Sequence, residues 1–191
     1  MNQTFVLSRI QAVSASWSRI TQEALTVAVF NLFLIFTAQV SIPLPLSPVP
    51  ITGQTLGVLL AAMALGRGRA TAVIGLYLLE GVAGLPVFAG GAAGAHHLLG
   101  PTGGYLVGFL AAGALCGWLA ERGWDRKFGL SLAAMIVGQT VIFACGLAQL
   151  SFFLPSQELL VLGFYPFIPG AIVKTAAAFA LFPSVARLTR P

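Results

Sequence analysis

The run I-T-G-Q-T-L-G-V-L-L-A-A-M-A-L-G-R-G-R (residues 51 to 69) decides how this chain folds. It is an apolar segment that stops at an Arg-Gly-Arg break, with Arg67 and Arg69 flanking Gly68. A second apolar segment follows and ends in G-L-P-V-F-A-G-G (84 to 91), and L-G-P-T-G-G-Y-L-V-G-F (99 to 109) comes after it. Two short hydrophobic segments thus bracket glycine-rich backbone with almost no charge. Irregular backbone survives at membrane depth only where protein buries it or where it lines a cavity. The stretch from Ile51 to Phe109 is therefore the first candidate for a binding site.

Composition sets the phase in which the chain folds. Of its 191 residues 58% are hydrophobic and 8% charged, and its mean hydropathy is +0.93, whereas soluble domains carry about 25% charged residues. The fold class expected is an all-α integral membrane protein. A spanning helix needs roughly 20 apolar residues, so the length suits one compact bundle with no separate soluble domain. The net charge of +5 does not indicate nucleic acid, because the basic residues lie in small groups between apolar runs. Cys116 and Cys145 sit in apolar segments without metal-ligand spacing and read as small hydrophobes. The N-terminus lacks the pattern of a secretory signal.

Residues 1–23 place Val6, Ile10, Val13, Trp17 and Ile20 at steps of four and three, with Arg9 and Arg19 between them. This period predicts an amphipathic helix lying on the cytoplasmic membrane surface. Six spans are expected after it, at about 24–40, 51–66, 70–85, 103–120, 130–154 and 159–188. Pro43, Pro45, Pro48 and Pro50 forbid a helix between the first two and predict an extended or lid-like loop. Pro166, Pro169 and Pro183 interrupt the sixth and leave 170–182 as its regular core. Arginine and lysine fall before the first span, between the second and third, between the fourth and fifth, and after the sixth. By the positive-inside rule both termini and those two loops are cytoplasmic, and the proline loop, the glycine loop (86–102) and residues 155–166 face outward.

Lys174, within I-P-G-A-I-V-K-T-A-A-A, breaks the charge pattern. An ionisable residue at that depth costs a few kcal/mol and calls for a partner. Near the outer end of its span it can hold the carboxylate of an anionic ligand, or else snorkel to the interface. Glu80 is the second intramembrane charge, able to pair with Lys174, to contact a ligand, or to stay protonated in an apolar pocket. Gln54, Thr55 and Tyr105 are read as walls of a polar pocket closed by the glycine loop, which contributes Phe88, Gly90 and Gly91. Ala24 and Ala28 form a small-x-x-x-small pair with Asn31 on the same face, compatible with internal packing or with a partner subunit. Trp17, Trp118 and Trp124 read as interfacial aromatics, and His96 and His97 as a solvated loop. Neither a phosphate-binding loop nor a nucleophile triad nor a metal cluster is visible in the sequence, and no cofactor is expected in this chain.

V-P-I-T-G-Q-T-L-G-V-L-L (49 to 60), G-L-P-V-F-A-G-G (84 to 91), G-P-T-G-G-Y-L-V-G-F (100 to 109) and F-I-P-G-A-I-V-K (167 to 174), in this order and spacing, resemble the BioY family. Its members are the biotin-specific S components of energy-coupling factor vitamin transporters. The resemblance covers about residues 24–185. It implies a six-helix subunit of the bacterial cytoplasmic membrane that captures biotin outside, working with a transmembrane coupling subunit and a pair of ATPases that use the ATP. By the same resemblance Ala24 and Ala28 dock to the coupling subunit, the 41–50 loop gates the pocket, and Lys174 meets the biotin carboxylate. Similar proteins usually carry an acid three residues before that lysine, where it accepts hydrogen bonds from the ureido ring. Here that position is Ala171, and Glu80, Gln54 or backbone carbonyls of the glycine loop are expected to substitute. Two rivals are an S component for another small anionic vitamin and a membrane enzyme on a lipid-like substrate. The second would need clustered acids or a nucleophile, and the five acidic residues are scattered. Transport without ATPases and homo-oligomerisation are left open by the sequence.

Overall fold

The computed structural model describes residues 3–189, with side chains described over 19–187. Helix α1 (Gln3–Gln39) leads into a hairpin whose two-residue strands, β1 (Ser41–Ile42) and β2 (Ile51–Thr52), pair antiparallel with Ser41 opposite Thr52. Then come α2 (Gln54–Val82), a glycine-rich loop containing the short α3 (His96–Leu99), α4 (Gly103–Glu121), α5 (Phe128–Leu150), the short α6 (Ser156–Gly163) and α7 (Ile168–Thr189).

Helix α2 is a hairpin of two helical arms. Gly66 inside it has φ +76° and ψ −180°, a region essentially confined to glycine. Gln54 Nε2 donates to Tyr77 Oη at 2.5 Å, although these residues are 23 apart and would be about 34 Å apart along one straight helix. Residues 54–65 and 67–82 are thus antiparallel neighbours, as two spans separated at Arg-Gly-Arg would be. The first arm is about 18 Å long at 1.5 Å per residue, short of the roughly 30 Å hydrocarbon core. The β1–β2 hairpin and its proline loop continue the chain beyond that arm.

The sixth span differs from the expected 159–188. Residues 156–163 form α6, Tyr165–Phe167 make a 3-10 turn, and the long helix begins only at Ile168. Pro166 in that turn and the irregular backbone of Phe164 (φ −130°, ψ −62°) break the segment in two. Pro169 lies in the first turn of α7, where its missing N–H has no helical partner to lose. Pro183 lies inside α7 and does not end it, which corrects the expectation that it would; packed membrane helices tolerate an internal proline where surrounding groups compensate. Helix α1 runs from Gln3 with no break near residue 23. The amphipathic face expected for residues 1–23 falls, up to residue 18, outside the described side chains.

Helices α2 and α4 form the centre of the bundle: α4 packs against α2 and α5, and α2 packs also against α1 and α7. Glycines bring the backbones together: a Cβ on Gly104 would stand 2.3 Å from the Cys145 carbonyl oxygen, and one on Gly146 would stand 2.3 Å from the Tyr105 ring. Tyr77, Leu34, Leu59, Ile74 and Met135 are fully buried in the core. Arg67, Arg69 and Arg122 gather at one end, where Glu121 accepts a hydrogen bond from the Arg67 backbone N–H at 2.7 Å, Arg69 pairs with Glu23, and the Arg122 guanidinium lies 3.6 Å over the Trp118 ring. The proline hairpin and the glycine loop occupy the opposite end.

Candidate functional site

A cavity of about 390 Å³ lies beneath the proline hairpin, within the range of small-molecule sites. Its walls are mostly apolar and aromatic, with Phe88, Phe109, Phe143, Phe167 and Tyr105 among them. These rings are set against one another at an angle: Phe88 meets Tyr77 edge-on at 5.5 Å, and Phe143 meets Phe164 at 4.9 Å. Edge-to-face pairs of this kind stabilise aromatic packing beyond the area they bury.

Lys174 reaches the cavity from α7 and donates from Nζ to the Thr52 carbonyl at 2.6 Å. Thr52 belongs to β2, so the lysine ties α7 to the root of the proline hairpin. Ala171 lines the cavity one turn earlier. In the hairpin itself, Pro48 and Pro50 line the cavity while Pro43 and Pro45 stay outside its wall. Ser47 Oγ donates to the Leu162 carbonyl at 2.8 Å, so the hairpin tip is fastened to α6.

Gln54 lines the cavity, but its amide is engaged by protein at both ends. Nε2 donates to Tyr77, and Oε1 accepts from Thr52 Oγ1 at 2.8 Å. It braces the wall between Thr52 and Tyr77. Tyr105 lends its ring to the cavity while its hydroxyl donates to the Gly163 carbonyl at 2.7 Å.

Glu80 does not line the cavity and does not pair with Lys174. The Phe88 ring lies directly over Gly81, where a Cβ would stand 2.1 Å from it, and Phe88 is the wall in Glu80's stead. Gly90 and Gly91 are likewise exposed and off the wall. Their positive φ angles of 64° and 81° turn the loop so that Ala89 and Ala92 face the cavity, and the turn is closed by the Phe88 N–H donating to the Ala92 carbonyl at 2.9 Å.

Several wall residues carry no signal in the sequence that places them there. His96 and His97, which read in sequence as a solvated loop, line the cavity, as do Thr102 and Gln139. His97 stacks edge-on against Phe88 at 5.9 Å. Thr55, expected in the pocket, is there and 7% exposed. Its Oγ1 and the Gln139 Oε1 are buried without a hydrogen-bond partner in the protein, and a buried polar atom left so costs about 1–3 kcal/mol.

Ala24 and Ala28 lie on an exposed face of α1. Asn31, expected on the same face, points inward: it is 3% exposed and its Nδ2 lies 3.5 Å from the Val73 carbonyl. The helical turn carries it from the open face to the α2 contact.

Comparison with known proteins adds an independent line. The BioY family model matches residues 6–191. A biotin transporter BioY of Thermotoga maritima is 36% identical over 158 residues, covering 82% of this chain and 91% of that protein. A biotin transporter BioY2 of Lactococcus lactis is 39% identical over 133 residues, covering 69% and 72%. The crystal structure of an S-component for biotin from an ECF-type ABC transporter superposes with a TM-score of 0.81 at 28% identity, over 90% of this chain and 92% of that one.

Proposed function

Since the chain belongs to the BioY family, we propose that it is the membrane subunit that captures biotin for import, with the ligand held in the cavity beneath the proline hairpin. The observation that carries this reading is the junction of a cation with an aromatic chamber: Lys174 at the wall of a mostly apolar cavity of about 390 Å³. Biotin has matching parts, a compact bicyclic ring for the apolar walls and a carboxylate for the ammonium. The Lys174 ammonium has three N–H donors, so the carboxylate accepts from Nζ beside the Thr52 carbonyl and adds a charge–charge attraction that the neutral carbonyl lacks. Ligand binding is thereby coupled to the root of the hairpin that covers the cavity.

The subunit sits in the bacterial cytoplasmic membrane with both termini and the basic end inside, an orientation supported by the positive-inside rule, and the cavity opens outward. The exposed face of α1 around Ala24 and Ala28 docks to a transmembrane coupling subunit, and ATPases drive release inward. Binding by itself does no transport work, since a ligand shifts an equilibrium only by its differential affinity for two states.

Calorimetry of the purified protein with biotin, pantothenate and nicotinate tests the reading. Saturable binding of biotin alone is expected. Binding of another vitamin carboxylate, with none of biotin, would overturn it in favour of an S component for a different anion.

A further inference from the structure

The polar groups of the cavity wall fall into two sets. Gln54, Tyr105 and Lys174 are each engaged by a protein partner. Thr55 Oγ1 and Gln139 Oε1, on residues 7% and 9% exposed, are buried without one. Buried polar atoms are almost always paired; Thr71 Oγ1 and Glu80 Oε2 are also unpaired but lie off the cavity, whereas Thr55 and Gln139 line it. An amide oxygen only accepts. What would satisfy Gln139 is therefore a ligand that presents an N–H or O–H donor.

Gln139 is also held in place. A Cβ on the preceding Gly138 would stand 2.4 Å from Cys116 Sγ and 2.8 Å from Leu59 Cδ2, so α5 is seated directly on α4 and α2 at this level. Across from α5, Ala171 shares with Gln139 the wall of the main cavity and the wall of a second cavity between α5 and α7. Ala171 brings only a methyl group to these shared walls and offers the Gln139 amide no hydrogen-bond partner.

Resting on the biotin reading, we propose that Gln139 reads the ligand's ring: its Oε1 accepts a hydrogen bond from a ring N–H of the cyclic urea, and the Thr55 hydroxyl supplies a second contact from α2. The consequence is a specificity. A neutral amide satisfies a neutral urea but offers no counter-charge to a cationic ring.

The test is calorimetry of wild type, Gln139→Met and Gln139→Glu with biotin and with 2-iminobiotin, whose ring becomes a guanidinium on protonation. Gln139→Met, similar in volume but without an acceptor, is expected to weaken biotin about tenfold or more, as loss of one buried hydrogen bond does. Gln139→Glu is expected to raise the affinity for 2-iminobiotin relative to biotin by about tenfold or more, through a charge-assisted bond. Unchanged biotin affinity in Gln139→Met overturns the inference while leaving the biotin reading intact. If that variant does not fold, an unchanged affinity ratio in Gln139→Glu overturns it. Failure of wild type to bind biotin overturns both.

Discussion

His97 sits at the mouth of the cavity with its ring against Phe88 and 4.2 Å from the ring of His96. Burial first, and then the charge of His96, lower its pKa from 6.5. The fold thus favours the neutral ring, while the unfolded chain takes up the proton as pH falls through 6.5. Stability from this residue is fully present above that value and is lost as pH falls from there through the folded-state pKa. Melting in detergent at pH 7.5 and 5.5 should show a drop in midpoint on acidification that is smaller in His97→Gln; an equal drop would assign the acid sensitivity elsewhere. Such residues differ in how legible they are. Lys174 is conspicuous in sequence because a charge inside an apolar run is costly in a membrane. Gln139, within M-I-V-G-Q-T-V-I-F, is not, since an uncharged amide carries no such cost and its meaning depends on which side of α5 meets the cavity. His96 and His97 are hidden for another reason: only the path of the glycine loop, set by its positive-φ residues, brings them to the cavity.

At the scale of elements, the turn at Gly66 holds two arms of α2 side by side and leaves the cavity end to the β1–β2 hairpin. A side chain at Gly66 would meet backbone strain at φ +76° and a Glu121 oxygen at 2.7 Å from its Cβ. Gly66→Ala should therefore destabilise the protein by about 1–3 kcal/mol, read as a lower melting midpoint in detergent; a midpoint equal to wild type would mean that the arms are not locked by this turn. The Arg-Gly-Arg break, the proline loop and the fourth and fifth spans are all legible in sequence, because charge, proline and apolar length are local properties. The start of the last helix at Ile168 is not. Residues 159–162 (L-L-V-L) are as apolar as a membrane segment, and the turn around Pro166 separates them from α7.

For the molecule as a whole, charge and shape divide by end and by face. Basic residues collect around the Arg67 and Arg122 turns, the cavity lies at the other end, and α1 carries an open side on which Leu25, Leu32 and Phe36 are 64%, 65% and 69% exposed. Small residues at Ala24 and Ala28 let another helix approach that side closely. In a strain supplied with the coupling module, Ala24→Trp together with Ala28→Trp should cut biotin uptake about tenfold or more while purified protein binds biotin within about twofold of wild type, as for a patch that serves assembly alone. Uptake equal to wild type would place the docking surface elsewhere. Membrane class, helix count and the distribution of charge were legible from composition, whereas the open face of α1 depends on how Asn31 turns toward α2. The proposed binding mode pairs the two ends of one ligand with an apolar chamber and a lysine. It is tested most directly by calorimetry of wild type and Lys174→Ala with biotin and with biotinamide. The expected result is a loss of about 1.5–3 kcal/mol when either the carboxylate or the lysine is removed, with little further loss when both are. Full additivity of the two losses, or tight binding of biotin by Lys174→Ala, would contradict it.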